Sequence, residues 1–334
     1  MVAERRDGLG GHGGSHDSGP TGIAAPMLVS VGTRRRRGWW LGSVVIAAAA
    51  VSLLVVPQVR SYITHLGGSP TRTWPLEPYS AGREPDLRIA AAGDVGHPGG
   101  RERATARAME RAARLRPFDA LVLLGDNAYP EGNPAQLEDT VFDPFAPILD
   151  RGAQLWPILG NHDVMDGHAA ANVEALGMPG PWYAEHLDDL LFVGLDSNDL
   201  SAEQLSWLDS TLHGSDATWK IVALHHPPYS AGYQGSDLEA RRLVSPIAEH
   251  HGVQLVLSGH EHDYERSRPI NGVTYVVSGA GSETRRTGRE DFTAAAWSWH
   301  HFLDISVYPD RLVVRAVNQD VRVFDEVEIA AGPT

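Results

Sequence analysis

The sequence predicts an α/β fold of stacked sheets with helices outside, preceded by a single transmembrane helix. Three observations predict it. From residue 86 onward, short apolar runs alternate with helix-forming stretches. The tail at 301–329, "HFLDISVYPDRLVVRAVNQDVRVFDEVEI", alternates apolar and polar residues as antiparallel hairpins do. Residues Trp39–Val56 carry no charge and follow four consecutive arginines, Arg34–Arg37.

Taken in order, residues 1–33 are rich in Gly and Ser without apolar period, which predicts a disordered cytoplasmic tail. Residues 34–57 read as a signal anchor. Its 18 uncharged residues span roughly 27 Å as a helix, about the hydrocarbon thickness of a bilayer. The arginines place the N-terminus in the cytoplasm, and Trp39 and Trp40 suit the interface. The C-terminal part then lies outside the cytoplasm on a single-pass anchor; a cleaved signal followed by secretion is the alternative. Residues 58–85 are proline-bearing and aperiodic, a linker. Residues 86–334 form the globular domain.

Within that domain, apolar strands are predicted at 87–94, 120–126, 155–163, 189–198, 219–228, 253–262 and "VTYVVSGAGS". Helices are predicted at 101–116, in part of "NPAQLEDTVFDPFAPIL", at 201–212 and through "DLEARRLVSPIAEHH". Ser201 with Gln204 three residues on is a helix-start signature.

With 334 residues, 42% of them hydrophobic, the chain can build one large domain plus an appendage. It has no cysteine, so disulfides, thiolate metal ligands and cysteine nucleophiles are excluded. The net charge is −14; residues 1–60 carry +4, leaving −18 for the remainder. A broad nucleic-acid footprint is therefore not expected.

Five strands end in polar clusters: "GDVG" (93–96), "GDNAY" (125–129), "GNHD" (160–163), "VALHH" (222–226) and "GHEH" (259–262). In open α/β sheets, ligands collect beyond the carboxyl ends of strands. Asp94, Asp126, Asn161, His225, His260 and His262 could therefore converge. These are hard or borderline ligands, suited to Fe, Zn, Mn or Co. They are too many for one tetrahedral zinc. They suit two ions about 3.5–4 Å apart that share a carboxylate, the arrangement that activates water to hydrolyse phosphate esters.

The five clusters, in this order, resemble the calcineurin-like metallophosphoesterases and, within them, the purple acid phosphatases. The matching motifs are Asp94-Val-Gly96, Gly125-Asp-Asn-Ala-Tyr129, Gly160-Asn-His-Asp163, Val222-Ala-Leu-His225 and Gly259-His-Glu-His262. The resemblance implies a four-layer α/β/β/α sandwich. It implies a metal-dependent phosphoric ester hydrolase using a metal-bound hydroxide on phosphomonoesters. It also implies two metal ions bridged by Asp126: iron with Asp94, Tyr129 and His262, and a second Fe, Zn or Mn with Asn161, His225 and His260. His162 would be catalytic, facing the substrate. Asp163 would orient a neighbour rather than bind metal, and His226 would line or support the site. One position departs from the family pattern. Gln234 stands nine residues after His225, where these enzymes commonly carry a substrate-facing histidine. Gln234 can hydrogen-bond phosphate but cannot act as an acid.

Arg285, Arg286 and Arg289 could grip an anion or simply face solvent. A phosphodiesterase on the same site is the alternative activity, and a non-catalytic surface binding protein the alternative of another class. The sequence leaves natural substrate and oligomeric state open.

Overall fold

The computed structural model describes residues 72–77 and 82–331. The predicted tail and signal anchor lie outside the described residues. Among the described residues, no helix is long and apolar enough to cross a membrane.

Among the described residues, fourteen strands form two seven-stranded sheets. Sheet one contains β1 (Trp74–Pro75), β2 (Leu87–Ala92), β3 (Ala120–Leu123), β4 (Gln154–Pro157), β12 (His301–Val307), β13 (Arg311–Asn318) and β14 (Arg322–Ala330), in the order β1-β14-β13-β12-β2-β3-β4. Sheet two contains β5 (Tyr183–Leu187), β6 (Leu190–Gly194), β7 (Trp219–Ala223), β8 (Leu255–Ser258), β9 (Tyr264–Ser267), β10 (Thr274–Ser278) and β11 (Thr293–Trp297), in the order β11-β9-β10-β8-β7-β6-β5. The strands leading to the predicted ligands run parallel to one another within each sheet: β2, β3 and β4 in sheet one, β7 and β8 beside parallel β6 in sheet two. The predicted tail hairpins are β12, β13 and β14, antiparallel as expected.

Strand periodicity builds the layers. Leu190, Phe192, Ile221, Ala223, Leu255 and Leu257 belong to a core shared with sheet one. Their neighbours Leu191, Val193, Val222, Leu224 and Val256 face the other way, into a second core with Leu208, Leu212, Ala240, Val244 and Ala248. Those residues come from helices α4 (Ala202–His213), α5 (Leu238–Leu243) and α6 (Ser245–His250), or from Val244 between the last two. Trp156 stacks on Phe192 at 4.9 Å, and the Trp219 indole donates to the Tyr308 carbonyl at 2.9 Å, so the two sheets grip each other directly. On sheet one, Arg88 donates to both oxygens of Asp304 across the β2–β12 pair and to the Ala112 carbonyl at 3.0 Å. That carbonyl lies near the end of α1 (Gly100–Ala113). Two further short α-helices are α2 (Asp143–Leu149) and α3 (Ala169–Ala175).

Three expectations change in detail. The stretch 238–250 is two helices, because Pro246 has no N–H to donate back to residue 242. Strands β5, β9 and β11 were not expected, being short and partly polar or alanine-rich. Trp74–Pro75, inside the segment read as linker, pairs with β14 and joins the sheet edge. Ser201 caps α4 as expected, its side chain accepting from the Gln204 amide.

Candidate metal centre

The parallel strands stop at a common edge, and each hands a short loop to it. Asp94 follows β2 by two residues, Asp126 follows β3 by three, and Asn161 follows β4 by four; His225 and His260 each follow their strands, β7 and β8, by two. The turns are tight. Asp94, Asp126 and His260 all sit at positive φ (57°, 53° and 70°), a region L side chains rarely adopt outside sites that need it. Gly160 explains one close approach, because a Cβ there would fall 2.2 Å from the Asp126 amide nitrogen.

The seven residues expected as ligands converge. The Tyr129 hydroxyl lies 2.8 Å from Asp126 Oδ2, 3.0 Å from Asp94 Oδ1 and 3.2 Å from His262 Nε2. On the other side, Asn161 Oδ1 lies 3.2 Å from His225 Nε2 and 3.1 Å from His260 Nδ1, and those two nitrogens are 3.3 Å apart. Asp126 Oδ2 reaches across, 3.5 Å from His225 Nε2. Ligand atoms of Asp94, Asp126 and His225 all fall within 4.8 Å of one another.

These residues fit metal ions. Ligands about 2.1 Å from one ion at right angles lie roughly 3 Å apart, the separation seen here. The Nδ1–H of His225 donates to the Leu124 carbonyl at 2.7 Å, leaving its Nε2 lone pair turned inward, as metal-binding imidazoles are arranged. The electrostatics ask for positive charge between the two groups. Burial opposes a charged His225, yet Asp126 outweighs it and pushes the imidazole up to about 10. Burial opposes ionisation of Asp126 too, but His225 and the His162 amide hold that carboxyl well below the usual range. Burial, then the charges of His225 and His226, push His260 down to about 2. Burial and the Asp94 and Asp126 carboxylates push the Tyr129 phenol far above its ordinary value. A metal cation in this cluster would offset those costs.

Around the ligands, other groups hold the loops. Asp163 is buried and accepts from Gly160 N (2.8 Å), Asn127 N (2.9 Å) and Asn127 Nδ2 (2.9 Å), tying the "GDN" loop to the "GNHD" loop. His162 has its Nδ1–H directed to the Pro130 carbonyl, and its amide donates to Asp126 Oδ1 at 2.9 Å. Its other nitrogen, Nε2, lies 4.0 Å from Asp126 Oδ2. A cavity of about 110 Å³ opens over the cluster, lined by Asp126, Asn161, His162, His260 and His262, with Gln234 and Arg285. His226 is not among its lining. Its Nδ1 lies 2.8 Å from Ser197 Oγ and its ring sits 4.5 Å from that of His260, a supporting position.

Sequence reasoning missed two residues. His97 stacks on Tyr129 at 4.2 Å and 15°, and Glu283 lies 3.7 Å from His262 Nδ1. Both stand in loops whose paths no local pattern fixes. Arg285 was one of three arginines the sequence could not rank; the fold turns it alone of the three toward the cluster.

Comparison with known proteins agrees with this geometry. The calcineurin-like phosphoesterase model matches residues 87–264. Human tartrate-resistant acid phosphatase type 5 is 28% identical over 244 residues, covering 60% of this chain and 74% of that protein. Purple acid phosphatase 21 of Arabidopsis thaliana is 25% identical over 270 residues, covering 64% and 60%. Among solved structures, the purple acid phosphatase PPD1 from yellow lupin superposes with TM-score 0.66 at 17% identity, covering 74% of this chain and 56% of that one. GAP50, the anchor in the inner membrane complex of Plasmodium, does so with TM-score 0.66 at 18% identity, covering 74% and 90%. Those two show a shared fold. The matched segment spans every strand-end cluster, and the chain belongs to the calcineurin-like phosphoesterase family, as a metal-dependent hydrolase akin to the acid phosphatases.

Proposed function

We propose that the chain hydrolyses phosphomonoesters at a dinuclear centre. The observation that carries this reading is the position of Asp126. Its Oδ1 accepts the His162 amide, while Oδ2 lies against Tyr129 on one side and His225 on the other. One carboxylate oxygen is thus offered to both ligand groups. Asp94, Tyr129 and His262 with Asp126 would hold the first ion, iron; Asn161, His225 and His260 with Asp126 would hold the second, Fe, Zn or Mn. Two such ions supply a water acidic enough to attack phosphorus and positive charge facing the phosphoryl oxygens.

The remaining steps belong to side chains. His162 holds its imidazole with one nitrogen on Pro130 and the other facing the cavity, placed to donate to a phosphoryl or leaving-group oxygen. Arg285 brings a permanent positive charge to the same cavity, and Gln234 adds an uncharged donor. Burial of Asp94, Asp126 and His225 excludes bulk water from the ligand shell.

The test is metal content and colour. Purified without chelators, the chain should hold two metals, with iron among them, and absorb visible light by phenolate-to-iron charge transfer. Tyr129→Phe should lose that band. Two metals with no iron would demote Tyr129 as a ligand. Faster turnover of a diester than of its matched monoester would replace the monoesterase reading with the diesterase one. The membrane anchor is proposed on the sequence pattern of residues 34–57.

A further inference from the structure

A second cavity, about 540 Å³, opens beside the metal cavity. Gln234 lines both, and two consecutive arginines divide between them: Arg285 lines the metal cavity and Arg286 the second. The wall between is built in place. Glu261 accepts from the amides of Gln234 and Gly235, and Glu265 accepts from the Ala231 amide at 2.7 Å and from the Ser230 hydroxyl. Both carboxylates are buried, so the 230–235 loop is pinned from beneath.

The cavity offers two kinds of contact. Tyr233 is 68% exposed and Leu238 70%, and with Phe292 they give an apolar wall. Arg286 is exposed and lines the cavity with no hydrogen bond or ion pair to another described residue. Arg241, also in the wall, is already committed. Its Nε donates to the Pro228 carbonyl, its Nη2 is directed to Ser236 Oγ, and its guanidinium lies 4.2 Å over the Tyr229 ring. Glu290 is the one acid among the lining residues. The lining thus carries two arginines and one acid above the buried Glu261 and Glu265, and Arg286 is the lining cation that stands open to a ligand.

We propose that this cavity receives the leaving group of the ester and favours leaving groups that carry a second anion on an apolar frame. The inference rests on the phosphoesterase reading of the metal site. Hydrolysis forms a bond from the water oxygen to phosphorus and breaks the bond from phosphorus to the leaving oxygen, which departs with a proton. The products are phosphate and an alcohol or phenol still bearing its second anion. The phosphoryl group sits at the metal cavity by Arg285. The frame lies along Tyr233, Phe292 and Leu238, and the anion pairs with Arg286.

Phenyl phosphate and 4-carboxyphenyl phosphate test this, having leaving groups of similar basicity and differing by one carboxylate. kcat/KM for both is measured on the full, metal-loaded chain, as wild type, Arg286→Gln and Arg286→Lys. Wild type should favour the carboxylated ester by about tenfold. Arg286→Gln should lose the preference and Arg286→Lys keep part of it. Saturation-transfer NMR should also detect 4-hydroxybenzoate on the wild type and not on Arg286→Gln. Equal kcat/KM in wild type, or a preference that survives Arg286→Gln, overturns the subsite and leaves the phosphoesterase reading standing. Hydrolysis of neither ester overturns the phosphomonoesterase reading and the subsite with it.

Discussion

At the residue scale, His162 is the side chain proposed to serve the chemistry without binding metal. Its backbone amide secures Asp126 and its ring faces the cavity. His162→Ala keeps the amide and removes the ring, so metal content should stay at the wild-type level while turnover falls about 10²–10³-fold. Unchanged turnover in that variant would remove the role assigned here. His301 tests a different property. It is fully buried, with Nε2 2.9 Å from Ser278 Oγ and Nδ1 2.8 Å from the Trp299 carbonyl. Burial holds its pKa down to about 4, against the bond to Trp299. The unfolded chain therefore binds this proton more readily, with a pKa near 6.5. The stability that follows is complete above about pH 6.5 and is lost as pH falls through 4, amounting to about 3 kcal/mol. His301→Gln should flatten this acid limb relative to wild type, read from urea unfolding at pH 7 and pH 4.5.

At the element scale, the pairing of β2 with β12 joins an early strand to the C-terminal hairpins through one buried ion pair. Arg88 and Asp304 are both fully buried, and Arg88 also satisfies the Ala112 carbonyl at the end of α1. Arg88→Leu would strand a buried carboxylate. Chemical denaturation should show a loss of about 3–5 kcal/mol, and the double change with Asp304→Leu should recover much of it. Nothing in "LRIAAAGD" announced the pair, since an arginine inside a strand reads as a solvent-facing position until its partner, more than two hundred residues away, is known. The candidate ligand set was legible for the opposite reason. Asp94, Asp126, Asn161, His225 and His260 each stand directly after an apolar run, and a parallel strand places its carboxyl end by its own length. Arg285 and His97 were not, because their loops reach the site by paths set only in three dimensions. Strands β9 and β11 escaped notice because Glu265 and the alanines of 294–296 break any apolar pattern, although the fold buries Glu265.

At the scale of the whole molecule, the charge division read from the sequence gains a consequence for substrates. The part after residue 60 is strongly acidic, yet Arg241, Arg285 and Arg286 gather at the two adjoining cavities. An anionic substrate meets attraction there and repulsion elsewhere, a contrast that salt screens. The proposed anchor is tested by fractionation. The full chain should sediment with membranes, resist alkaline washing and yield to detergent, whereas a chain beginning at Leu66 should stay in the supernatant. A full chain found in the supernatant would remove the anchor.

The two cores share their strands. In β6, β7 and β8 both faces are mostly apolar, Lys220 and Ser258 apart, so sliding a strand by one position largely exchanges one oily side chain for another, and oiliness alone sets the alignment only weakly. The strand ends do set it. Gly259 lies where a Cβ would fall 2.5 Å from the Leu124 carbonyl and 2.8 Å from Asp94, and the residues on either side of it are Ser258 and His260. A slip in either direction would drive one of those side chains into that gap. The glycines that let the ligands crowd together therefore also work as detents, and the chain cannot index its sheets correctly without assembling its catalytic edge in the same act.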